Sequence, residues 1–167
     1  MLPAKPVAAY ITSQRDRLLQ DAVALPAHLS LDLAPYFESE VLNVARLHTS
    51  ETLPIPELPF VRALARLGLE VPNSATIEAI TFDNLIAARN PPSLRILFHE
   101  LVHVVQYRVL GIDQFARQYV AGFLSCGSYD RIPLESCARL LEERFSFDPT
   151  VFSVADAVQE WLERERI

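Results

Sequence analysis

The stretch His99-Glu100-Leu101-Val102-His103, set inside the apolar run Leu97 to Val105, constrains this chain more than any other. On a helix four residues turn about 400°, so the two histidines stand one turn apart on one face and can reach one metal ion. Glu100, rotated by about 100° from His99, reaches the open side of such an ion rather than binding it. Zinc takes neutral imidazole nitrogens and, where it is catalytic, keeps a position for water. A nearby carboxylate can take the proton of that water. The simpler alternative is a core helix with two incidental histidines. It would leave two imidazoles and a carboxylate among Leu97, Phe98, Leu101, Val102, Val104 and Val105, which offer no partner. Buried polar groups without partners are costly, so the metal reading is preferred.

The 167 residues read as a single domain spanning 1–167, long enough to bury a core. Half the residues are hydrophobic and 22% are charged, which argues for a folded globule rather than a disordered chain. The net charge of −6, without a basic stripe or arm, argues against nucleic acid as a partner. No apolar run reaches the roughly 18 residues of a transmembrane helix. Gln14, Arg15, Asp16 and Arg17 interrupt the apolar N-terminus, so no signal peptide is expected. A cytoplasmic location is the expectation, with export by another route left open. Cys126 and Cys137 read as reduced thiols, with a disulfide between them as the lesser alternative.

In chain order, apolar spacing predicts a helix over about Val7 to Leu25, ended by Pro26. A weak helix or turn follows near Leu31 to Glu38, then a strand from Val41 to Thr49 carrying His48, read as a surface or hydrogen-bonded histidine. Pro54, Pro56 and Pro59 stiffen a loop, and a short helix from Pro59 to Leu67 ends at Gly68. A second strand is predicted over Ala75 to Phe82, and a turn or short helix over Asp83 to Arg89. Asn90 with Pro91 and Pro92 opens the motif helix and Gly111 ends it. Three more helices are expected: one capped by Asp113 and running to about Leu124, one from about Arg131 to Phe145, and one capped by Ser153 with Val154, Val158, Trp161 and Leu162 as its stripe. The pattern is helix-rich with a small sheet, that is, α+β.

A catalytic zinc site expects a third protein ligand. The metzincin pattern would need glycine and histidine where Gln106 and Val109 stand, so it is excluded. His28 and His48 lie far upstream. Asp113, Asp130, Glu135, Glu142 and Glu143 are the downstream carboxylates. Asp113 is better used as a cap, and Glu142 and Glu143 sit in a polar Glu-Glu-Arg run that reads as solvated. Glu135 follows Pro133-Leu134 in the first turns of a helix whose inner face carries Leu134, Cys137, Ala138 and Leu141, and is the best placed. Cys137, two positions on, points about 200° away and cannot share the metal with it.

The residues His99 to Tyr107, then Leu110-Gly111, Phe115 and Tyr119, then Tyr129-Asp130-Arg131-Ile132-Pro133-Leu134-Glu135-Ser136-Cys137-Ala138, resemble the small gluzincin-type zinc peptidase domains of bacterial origin. The resemblance is best over about residues 77–145. It implies a zincin-like α+β fold and zinc held by His99, His103 and Glu135, with Glu100 as general base. It also implies that the Ala75–Phe82 strand is the sheet edge along which a peptide or protein substrate would lie, and that Tyr129 or Tyr119 donates to the oxyanion. In thermolysin-like gluzincins an aspartate four residues after the ligand glutamate supports a zinc histidine. Arg139 stands there in this chain, so that support must be built differently, with Gln106 as a participant. The expected function is zinc-dependent hydrolysis of peptide bonds. The alternative is a zinc-stabilised interaction module derived from a peptidase, since the second domain that forms the far wall of a gluzincin's cleft has no counterpart in this short chain. A third, lesser possibility is a catalytic domain cut from a larger toxin or secreted protein.

Overall fold

The computed structural model describes residues 4–53, 77–148 and 150–165. In chain order the elements are α1 (Ala4–Leu18), β1 (Val23–Ala24), α2 (Ala27–Leu33), α3 (Ser39–Val44), β2 (Arg46–Thr49), β3 (Ala79–Phe82), β4 (Leu85–Ala88), α4 (Leu94–Cys126), α5 (Pro133–Phe147) and α6 (Val154–Arg164). Single 3₁₀ turns lie at Leu19–Asp21 and Tyr129–Arg131. The fold is α+β, as expected. The predicted Pro54–Pro59 loop, the Pro59–Leu67 helix with Gly68, and the first residues of the Ala75–Phe82 strand lie outside the described residues.

The motif run forms the first half of α4. It is capped by Ser93, whose hydroxyl accepts from the Ile96 amide at 3.3 Å, so the cap is Ser93 rather than Asn90. Leu97, Phe98, Leu101, Val102 and Val104 are wholly buried, in a helix on which α1, α5, α6 and the sheet all pack. Burying such a side chain contributes on the order of 2 kcal/mol each, and that apolar jacket fixes the helix in place. At Gly111 the backbone takes φ 72 and ψ 161, a conformation open to glycine and strained for other residues. The helical path breaks there and resumes toward Cys126.

The sheet order is β1-β2-β4-β3, with β2 and β4 parallel and β3 antiparallel to β4. Among the described residues β3 is therefore an outer strand, paired only with β4. The Asp83–Arg89 segment is not a turn or short helix throughout. Asp83 takes a left-handed φ of 60, the chain reverses, and Leu85–Ala88 forms β4 with all four residues buried. Leu-Ile-Ala-Ala lacks alternation because both faces are covered, and such a run cannot be told from helix by its period.

Three other expectations are corrected. The first helix stops at Leu18 rather than Leu25. Leu25 precedes Pro26, which disfavours helical backbone, and Val23–Ala24 instead pairs antiparallel with Arg46–Leu47. Before Pro35, α2 covers Ala27–Leu33 rather than starting at Leu31. Ser39–Val44 is helix, and only Arg46–Thr49 of the predicted strand is extended. Adjacent Val41 and Leu42 both face the core from that short helix, overriding the β preference of the valines.

Helix α5 begins with Pro133 at its first position and α6 with Ser153, which accepts from the Asp156 amide at 3.2 Å. An aromatic cluster fastens α4 to α5. Phe98 stacks on Phe145 with ring centroids 4.3 Å apart, and Tyr36, Phe37 and Phe152 meet Phe98 edge-on. At the other end, a Cβ on Gly122 would stand 2.7 Å from Cδ of Pro133. Glycine is what lets α4 approach the start of α5 so closely. These two contacts set how α5 lies beside the motif helix.

Candidate metal centre

That docking brings His99, His103 and Glu135 together. The Nε2 atoms of the two histidines are 3.2 Å apart. Oε2 of Glu135 is 3.5 Å from each. These residues form the set among the described residues that can hold a metal ion. His103 and Glu135 are buried and His99 is nearly so.

Each donor has one polar partner on its far side. Gln106 donates its amide NH₂ to the Leu134 carbonyl at 2.9 Å. Its oxygen must therefore face Nδ1 of His103, 2.8 Å away. A carbonyl oxygen only accepts, so His103 carries a proton on Nδ1. Nδ1 of His99 lies 2.8 Å from Oε2 of Glu142, which likewise calls for a proton on that nitrogen. With an ion in place both Nε2 atoms would present lone pairs inward, beside a carboxylate oxygen; without one, a proton shared with Glu135 takes that place. Tyr119 donates its hydroxyl to Oε1 of Glu135 at 2.9 Å, leaving Oε2 as the oxygen toward the histidines. Three potential ligand atoms converge on one point, and such a set suits a cation, a proton or a metal ion.

Electrostatics follow the same logic. Burial alone would lower the pKa of His99, but hydrogen bonds to Glu135 and Glu142 outweigh it and raise it from 6.5 to about 10. His103 is raised as well, burial being outweighed by the charge of Glu135. Glu135 is held well below the usual carboxylate range, because the two histidines outweigh its burial. Burial, with the Glu135 charge beside it, pushes the Tyr119 and Tyr129 phenols well above 10. Both stay protonated and able to donate.

Glu100 is also buried. Thr81 on β3 donates its hydroxyl to Glu100 Oε2 at 2.7 Å, and Tyr107 donates to the Thr81 carbonyl at 3.4 Å. The strand and the motif helix are thus tied together at the carboxylate. Beside it lies a cavity of about 100 Å³. Its walls include Val7, Tyr10 and Ile11 of α1, Ile80 and Phe82 of β3, and Tyr129, with Glu100, His103 and Glu135 at its polar end.

The other carboxylate candidates fall away. Asp130 is exposed and pairs with Arg139 at 3.4 Å, so Arg139 points away from the donors. Asp113 and Glu143 are exposed. Glu142 is not solvated as its polar neighbours imply. It is mostly shielded and bonds both His99 and Arg95. Its spacing gives the missed signal: it lies two helical turns after Glu135, on the same face. Gln106 lies against Nδ1 of His103, one of the three clustered residues. His28 is exposed. His48 is half-buried, and its Nδ1 has no hydrogen-bond partner among the described residues. Cys126 and Cys137 are free thiols. No described helix is long and apolar enough to cross a membrane.

Set against protein-family models, curated proteins and solved structures, the chain matches none of them.

Proposed function

We propose that this chain is a zinc-dependent peptidase with a zincin-like active site. The observation that carries this reading is the convergence of His99 Nε2, His103 Nε2 and Glu135 Oε2 at separations of 3.2 and 3.5 Å. A tetrahedral zinc with ligands at about 2.0–2.1 Å has edges of about 3.3 Å between donors. The donor types, two neutral imidazoles and one carboxylate, also match those of a catalytic zinc.

Bound there, zinc would lower the pKa of a water in its open position and polarise a substrate carbonyl. Glu100 accepts the proton of the attacking water and passes it to the leaving amine. The Thr81 hydroxyl holds the oxygen of Glu100 that it bonds, which leaves the other for that transfer. Tyr129, half-buried on the cavity wall and firmly protonated, donates to the developing oxyanion. Tyr119 is committed to Glu135 and serves the ligand instead. The outer position of β3 among the described residues suits an extended peptide adding along the sheet.

A zinc-held module without catalysis is favoured by one observation. A cavity of 150 Å³ holds a benzene molecule, and the cavity here is about 100 Å³. As folded it admits one small side chain rather than a length of peptide. Cleavage of a mixed peptide library, read by mass spectrometry, separates the readings. Zinc-loaded wild type should cleave, while Glu100→Gln and a chelated sample should not. Equal cleavage by wild type and Glu100→Gln, or none by either, removes the support for catalysis.

A further inference from the structure

We infer that Glu142 is the positioning residue for His99, holding its ring in the one tautomer and orientation that turns Nε2 toward the metal. The inference rests on the zinc reading above and assigns Glu142 a role of its own. Three observations carry it. Glu142 Oε2 sits 2.8 Å from Nδ1 of His99, on the side of the ring away from Glu135. Glu142 shows only 13% of its side chain to solvent, so water does not compete freely for that bond. Arg95, on the first turn of α4, pairs with its other oxygen and keeps the carboxylate aimed.

The two histidines are thus backed unequally. His103 leans on a neutral amide, Gln106, and His99 on a full negative charge. A charged acceptor strengthens the hydrogen bond and raises the basicity of the opposite nitrogen more than a neutral one does. Arg139 occupies the place where a nearer carboxylate would serve, and it is turned outward to Asp130. Glu142 reaches the same ring from further along α5.

The test compares wild type, Glu142→Gln, Glu142→Ala and, as a neighbouring exposed control, Glu143→Ala. Zinc affinity is measured by competition with a chromophoric chelator, and circular dichroism checks the fold. Losing a partner of this kind weakens metal binding by about 10–100-fold, so that loss is expected for Glu142→Ala. Glu142→Gln, which keeps an accepting oxygen, should lose less, and Glu143→Ala should match wild type. Proton NMR of the zinc-loaded proteins supplies a readout that a merely structural role would not move. The His99 Nδ1 proton should resonate far downfield in wild type, move upfield in Glu142→Gln and exchange away in Glu142→Ala. The His103 Nδ1 proton should stay unchanged in all three. Wild type that binds no zinc defeats the underlying zinc reading. Wild type that binds zinc while Glu142→Ala binds within about twofold of it, or Glu142→Gln falling as far as Ala, overturns the role of Glu142.

Discussion

Tyr119 holds Glu135 by a hydrogen bond of 2.9 Å from its hydroxyl to Oε1, so the carboxylate presents a single oxygen to the two histidines. Tyr119→Phe removes that hold on a buried carboxylate. Hydrogen bonds to charged groups contribute about 1.5–3 kcal/mol. Zinc affinity should fall by roughly tenfold, measured by chelator competition. Retention of full affinity would show that packing alone orients Glu135.

Removing a ligand is more severe. His99→Ala, His103→Ala and Glu135→Ala should each abolish stoichiometric zinc in elemental analysis, whereas Glu143→Ala should retain it. In wild type, chelation should lower the melting temperature, because an ion bound only by the folded chain stabilises it, by about 2.7 kcal/mol at a hundred times its Kd. No zinc in the purified protein, with none taken up on addition, would sink the site.

Glu100 is expected to touch substrate water rather than the ion. Glu100→Gln should therefore keep zinc and the Thr81 contact. It should lose about 10²–10⁴-fold in peptide cleavage, read from initial rates on a peptide that wild type cuts. Zinc content is the control: a variant that loses its zinc would place Glu100 among the ligands.

The pH response should change sign with metal. Without zinc, the folded chain holds the His99 proton more tightly than the unfolded chain, raising its pKa from 6.5 to about 10. The stability from that shift is complete below about pH 6.5 and is lost as the pH rises through about 10. Glu135 is shifted down, so its contribution is present above its ordinary pKa of 4.5 and is lost on acidification. From about pH 6.5 to 9 this site should thus weaken the chelated protein as pH rises. Zinc must displace the protons, so its stabilising effect should grow with pH. Melting curves of chelated and zinc-loaded protein across that range give both slopes. Parallel slopes would contradict the shared site.

The motif helix and its two histidines were legible because helical period and an apolar jacket are local facts. Glu135 was legible for a similar reason: Pro133 marks a helix start and Leu134, Cys137 and Ala138 mark its inner face. Glu142 was hidden by its neighbours. Glu143 and Arg144 are exposed, and composition averaged over that run concealed one carboxylate turned inward. The strand β4 was missed because burial on both faces erases alternation. The early end of α1 depended on β1 finding β2, a pairing between residues far apart in the chain. Thr81 carried no signal of its own, since a threonine in a strand is ordinary until the helix beside it is in place.

Gly122 supplies the last prediction. Gly122→Ala sets a methyl group 2.7 Å from Pro133 Cδ, and neither ring nor helix backbone can swing aside. Overpacking of this kind costs about 1–3 kcal/mol. Denaturant unfolding should show that loss, with weaker zinc binding alongside, because Glu135 lies in the turn being pushed. Unchanged stability would mean that α5 slides freely on α4.

The bond between Gln106 and the Leu134 carbonyl has a consequence for the order of events as the chain folds. Leu134 belongs to the first turn of α5, beside Glu135. Until α5 docks, Gln106 is free to turn its amide either way, and His103 is free to carry its proton on either nitrogen. A nascent α4 therefore offers an ion two histidines but no fixed donor geometry. Docking of α5 brings both Glu135 and the Leu134 carbonyl that orients Gln106 and, through it, His103. On the zinc reading, tight metal capture would then require α5 to be docked, and a chain lacking that contact would be expected to trade its ion quickly with the surroundings.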